Sequence, residues 1–124
     1  MASRFRVSSP ITEKTSATMK ARLVDDKGEG VSLALLGHLM LTHYDAITGN
    51  VINGRDGVDA LSSVDVVVDD FGCITWSMGA EDNVILNNFR RAEKHITLFE
   101  WGYSGGKIGR MEVETVVVNL EKVS

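Results

Sequence analysis

A chain of 124 residues with 44% hydrophobic and 24% charged residues is the size of one domain able to bury its own core, and too apolar to be disordered. Its net charge of −4 provides no field to hold nucleic acid or an acidic bilayer, and no stretch approaches the roughly 18 apolar residues of a membrane helix. Cys73 is the only cysteine, which excludes an intramolecular disulfide and a thiolate metal site and fits synthesis in a reducing cytosol.

Residues 1–10 carry Arg4 and Arg6 with no apolar run behind them, so a signal peptide is not expected. They read as an N-terminal arm before a single domain over 11–124. The wider stretch Ala2–Lys14 is longer than a simple sandwich needs, and as an arm it could lie along a neighbour in an assembly. In Ser16–Val24 the residues Ala17, Met19, Ala21 and Leu23 alternate with polar ones, the period of a half-buried strand. Asp25–Gly30 is a turn. Leu39, Leu41 and His43 alternate with Met40, Thr42 and Tyr44 in a second strand, which ends at Asp45–Asn50, and Val51–Asn53 reads as a short returning strand. Val64–Val68 and Cys73–Met78 flank Asp69-Asp70-Phe71-Gly72, the strongest hairpin signal in the chain. Ile74, Trp76 and Met78 share one face of its second arm.

Ala80–Asn88 is the one helical stretch, about two turns by its spacing, with Glu81 and Asp82 in the first turn where carboxylates favour the dipole. His95–Tyr103 places Thr97, Phe99, Trp101 and Tyr103 on one face. Ser104–Lys107 turns the chain into a last strand, Ile108–Leu120, with Met111, Val113 and Val117 opposed to Glu112 and Glu114. About seven strands with frequent turn signals and one short helix between late strands predict an all-β, Ig-like sandwich with Greek-key connections, a small barrel being the alternative. "Ig-like" is architectural here, since the cysteine pair of antibody domains is missing.

No residue is assigned a catalytic, cofactor-binding or metal-ligating role. His38, His43 and His95 do not converge as zinc or iron ligands and read as surface or half-buried strand residues. His95 could pair with Glu93 or Glu100, but no serine or cysteine motif accompanies it. Asp25-Asp26 and Asp69-Asp70 miss the calcium-loop spacing and read as turn formers. Trp101–Gly109 has a tryptophan where a phosphate loop needs its first glycine, and no helix follows. Phe99, Trp101 and Tyr103 could form a stacking platform, but a core row is the simpler reading. Arg90-Arg91 with Lys94 reads as a solvated strand start, or else as a salt-sensitive contact with a neighbouring subunit. Gly54-Arg55-Asp56-Gly57 says only "exposed loop".

Four stretches carry a family resemblance. They are Ile11-Thr12-Glu13 through Leu23–Gly28, Leu39–Asn53 with its Leu-Thr-His-Tyr-Asp-Ala-Ile-Thr-Gly core, Asp70-Phe71-Gly72-Cys73-Ile74-Thr75-Trp76, and Leu98-Phe99-Glu100-Trp101-Gly102-Tyr103. Across roughly residues 10–120 the chain resembles a group of small Ig-like proteins encoded in tailed-bacteriophage genomes. The resemblance implies a non-enzymatic virion protein, made in the host bacterial cytoplasm. Its implied partners are other virion proteins (capsid, neck or tail subunits), in a symmetric multi-copy assembly without nucleic acid or membrane. Capsid decoration is the preferred role, with a neck, tail or baseplate position next. A carbohydrate-binding module is the alternative of another class and requires Trp101 or Tyr103 to be exposed. No cofactor is implied.

Overall fold

The computed structural model describes residues 3–6, 9–87 and 90–119. Among these, nine strands follow in order: β1 (Ser3–Arg6), β2 (Ile11–Thr12), β3 (Ala17–Arg22), β4 (Leu36–Asp45), β5 (Val58–Asp59), β6 (Val66–Val68), β7 (Cys73–Met78), β8 (Ala92–Tyr103) and β9 (Lys107–Val118). The larger sheet runs β1-β9-β8-β4-β5, with β2 also on β9. The smaller runs β3-β7-β6. The result is an all-β, sandwich-like fold.

Period-two alternation makes the layers. Met19 and Leu23 from the β3 segment, and Ile74, Trp76 and Met78 from β7, face Leu39, Leu41, Phe99, Trp101, Met111 and Val113 of the larger sheet. Each such large side chain contributes about 1.5–3 kcal/mol by leaving water. The β6–β7 turn is closed by Asp69, whose Oδ1 accepts the Phe71 and Cys73 amides. Gly72 sits at φ +81°, where the Leu23 and Val31 backbones leave no room for a Cβ. The β8–β9 turn takes positive φ at Ser104, Gly105 and Gly106, which is hairpin geometry and not a phosphate loop.

Four expectations change. Val51–Asn53 forms only an isolated bridge from Val51 to Tyr44, because positive φ at Asn53, Gly54 and Gly57 turns the chain away, and β5 makes the pairing with β4 instead. The Ala80–Asn88 helix is a single 3-10 turn, Ala80–Asn83, with Asn88 itself outside the described residues. Its continuation is prevented by side-chain competition: the Leu86 and Asn87 amides donate to Glu93, and Val84 is extended. A second 3-10 turn, Leu33–Leu35, precedes β4, and all its residues are exposed or nearly so.

The fourth concerns the arm. Of residues 1–10, Ser3–Arg6 lies on the chain's own sheet, parallel to Met111–Glu114, while Ser9 and Pro10 are exposed. Residues 1, 2, 7 and 8, and the end of the last expected strand at Leu120, lie outside the described residues.

Candidate functional site

The inner face of the larger sheet changes character along its length. Beyond Leu41 on β4 come His43 and Asp45, before Phe99 on β8 come Thr97, His95 and Glu93, and after Val113 on β9 comes Thr115. All six are 0–1% exposed. The same alternation that lines up the aromatic row produces them, since they occupy the same face of the same strands. The smaller sheet stops short of this region, which is roofed by segments 51–57 and 79–87 and by Arg90. Backbone bonds from the His43 amide to the Arg55 carbonyl, and from the Ile52 amide to the His43 carbonyl, seal one side.

His43 is held from both ring nitrogens. Nε2 lies 2.8 Å from the Asp82 carbonyl, which can only accept, so Nε2 carries the hydrogen. Nδ1, 2.9 Å from Thr97 Oγ1, therefore accepts from the hydroxyl. The ring meets Trp76 edge-on at 5.3 Å and His95 at 5.5 Å. His95 Nε2–H donates to Glu93 Oε1 at 2.7 Å, while His95 Nδ1 and Thr115 Oγ1 have no hydrogen-bond partner. Glu93 also receives the Leu86 and Asn87 amides and Arg90 Nη1.

A second carboxylate ties the roof together. Asp82 accepts from Asn53 Nδ2 at 2.9 Å, Arg55 Nε at 3.0 Å and the Gly79 amide at 2.9 Å. Burial alone would raise its pKa, but the hydrogen bonds from Arg55, Asn53 and Gly79 outweigh burial and hold it below the usual carboxylate range. Arg55 in turn lies 5.6 Å over the Trp76 ring. Asp45 follows the same pattern, with burial opposed by the hydroxyl and amide of Thr48 and by the charge of Arg90.

Burial pushes the His43 pKa down to about 4, helped by the neighbouring His95 and Arg55 charges. An unfolded His43 titrates near its ordinary 6.5, so between pH 6.5 and 4 the unfolded state binds a proton that the folded state refuses. Folding stability is therefore expected to fall by about 3 kcal/mol from pH 7 to pH 4. The depressed Asp82 and Asp45 act in a lower window, where stability is lost as pH falls below their ordinary 3.8. Urea unfolding at the two pH values measures the His43 effect. His43→Gln should flatten the dependence, and an equal slope in that variant would show that the proton goes elsewhere.

Chemically the cluster is a closed polar network. His95 has its Nε2 occupied by Glu93, no nucleophile lies within its hydrogen bonds, and every member of the inner set is shielded from a substrate. Among the described residues no group of three or more His, Cys, Asp or Glu is arranged to hold a metal ion. His43 and His95 were expected at the surface or half-buried and are instead fully buried, whereas His38 is exposed. The expected pairing of His95 is with Glu93. Arg90, expected as solvated, turns inward to Asp45 and Glu93 at 3.3 Å, because those two buried carboxylates need a cation. Lys94 pairs with Glu114, also at 3.3 Å. Arg55, read only as part of an exposed loop, is an anchor of the roof.

Asp25 and Asp69 act as turn formers, Asp25 accepting the Lys27 and Glu29 amides. Phe99, Trp101 and Tyr103 lie in the core at 0%, 1% and 7% exposure, so the platform a carbohydrate module would need is not offered on this face.

Several large apolar side chains are exposed, among them Val64, Ile47 and Val67. Leu33, Leu35, Phe71 and Ile108 are 46–72% exposed. They share the end of the sandwich that carries loops 23–35, 69–72 and 104–106. Gly30 packs on the Phe71 carbonyl, Asp26 bridges to Lys107 at 3.3 Å, and Leu35 and Ile108 flank one shallow hollow with His38 and Gly102. No family model matches the chain, and no curated protein is significantly similar to it. No helix among the described residues is long and apolar enough to cross a membrane.

Proposed function

We propose that this protein is a non-enzymatic structural component of a tailed-bacteriophage virion, an Ig-like sandwich that decorates the capsid lattice in several symmetry-related copies. It would be made in the host cytoplasm and carried in the particle. The observation that best supports a docking role is the apolar loop end, where Leu33, Leu35, Phe71 and Ile108 remain in water together. The resemblance of the four sequence stretches supplies the phage context. A neck, tail or baseplate position is the second reading.

Sedimentation of the purified protein with capsids and, separately, with tails tests this. Stoichiometric pelleting with capsids is expected, reduced at least tenfold in affinity by Leu35→Asp with Ile108→Asp, since each charge would be buried in the contact. Pelleting with tails alone would move the protein to the neck, tail or baseplate. Association with neither would overturn the reading.

A further inference from the structure

We propose that β1 is an exchangeable strand: Ser3–Arg6 of one copy seats on the β9 edge of a second copy and links the two. This inference concerns copy-to-copy linkage and does not depend on which surface the protein docks against.

Three observations carry it. First, β1 is held by one strand alone. It pairs with β9 over four residues, and among the described residues no other strand borders it. Secondly, the register sets complementary residue types opposite one another. Arg4 and Arg6 stand in register with Glu112 and Glu114, while Phe5 stands opposite the core residue Val113. A sheet edge bearing carboxylates at alternate positions selects a strand with cations at the same spacing, and every copy of this chain carries both halves.

Thirdly, the connection to the body has more residues than the edge it runs beside. Between Arg6 and Ile11 the chain uses four residues, where β9 uses two between Glu114 and Val117. The described pairing with β9 stops at Glu114 and resumes at Val117; between them Thr115 has a buried hydroxyl with no hydrogen-bond partner among the described residues, and a groove of about 300 Å³ opens there between Ser9, Pro10, Ile11, Ala17, Met19 and Thr115. Pro10 disfavours a helical backbone at Ser9. A strand joined through more residues than its edge requires makes the same pairing on its own β9 or on a neighbour's, which is the condition for strand exchange.

The test separates the two halves of the charge pair. Arg4→Glu is placed in one chain and Glu112→Arg in another. Each variant alone puts like charges at the 4/112 position, whether the strand pairs within its chain or with an identical copy. In a mixture, exchange between unlike chains gives one reversed and one native pair, so it is the only arrangement that satisfies both. After refolding together, native mass spectrometry is expected to show a one-to-one heterodimer, with each variant alone monomeric and the double variant Arg4→Glu/Glu112→Arg behaving as wild type. A mixture that stays monomeric overturns the proposal, as does dimerisation of either variant alone to the same extent.

Tyr44 donates to Glu112, so Glu112→Arg could disturb the sheet. Arg4→Cys and Glu112→Cys in separate chains, both with Cys73→Ser, give a second readout. An intermolecular disulfide between the unlike chains is expected, and its absence under mild oxidation overturns the proposal.

Discussion

Glu93→Ala is expected to lower the unfolding free energy by about 4 kcal/mol. The substitution removes the shared acceptor for four donors: the Leu86 and Asn87 amides, His95 Nε2 and Arg90 Nη1. With His95 Nδ1 already lacking a partner, the imidazole would have no hydrogen bond at either nitrogen. Arg90 would keep only Asp45. The damage should be local before it is global, because Glu93 is what fixes segment 84–87. Hydrogen exchange at Leu86 and Asn87 should therefore accelerate under conditions where the β8–β9 ladder remains protected. A loss below 1 kcal/mol in urea titration would mean that the desolvation of this carboxylate already cancels its bonds.

Gly72→Ala is the second large effect, again about 4 kcal/mol. Two costs combine. A residue with a Cβ is strained at φ +81°, and the new carbon would lie 2.6 Å from the Leu23 carbonyl oxygen and 2.7 Å from the Val31 nitrogen. Both neighbours are backbone, so neither can yield by changing rotamer. Gly28 separates the two costs, since it has the same φ of +81° with open space around it. Gly28→Ala should therefore lose only about 1 kcal/mol. Thermal midpoints compare the pair, with a drop of about 15 °C expected for the Gly72 variant. Equal drops would show that the close approach is not felt.

Much of the fold was legible because alternation is a strong signal in half-buried strands. Cys73–Met78 and the inward row Thr97, Phe99, Trp101 and Tyr103 stand where their spacing puts them. The short pieces were not legible. Ser3–Arg6 is only four residues long, and its pairing depends on Met111–Glu114, which local sequence does not reveal. The Ala80–Asn88 stretch has helical spacing, but its backbone donors are diverted to Glu93, a long-range choice. The polar cluster did leave a trace. Continuing the face of Tyr103 backward by twos leads through Thr97 to His95 and Glu93, and the face of Leu39 leads forward to His43 and Asp45. Polar types on core positions mark buried networks, but a single histidine on a strand looks like a surface residue until its register is fixed by its neighbours.

The parallel seat of β1 on β9 also bears on how the chain comes off the ribosome. Phe5 must wait for Val113, and Leu41 for Phe99, so apart from the short β4–β5 pairing the larger sheet cannot close while β8 and β9 are still being made. The β3–β7 pair can form earlier, but its inner face would stand uncovered until then. Folding is thus a late event dominated by distant contacts. Newly made chains meet one another with their edges unfilled, the moment at which a strand is most easily lent to a neighbour.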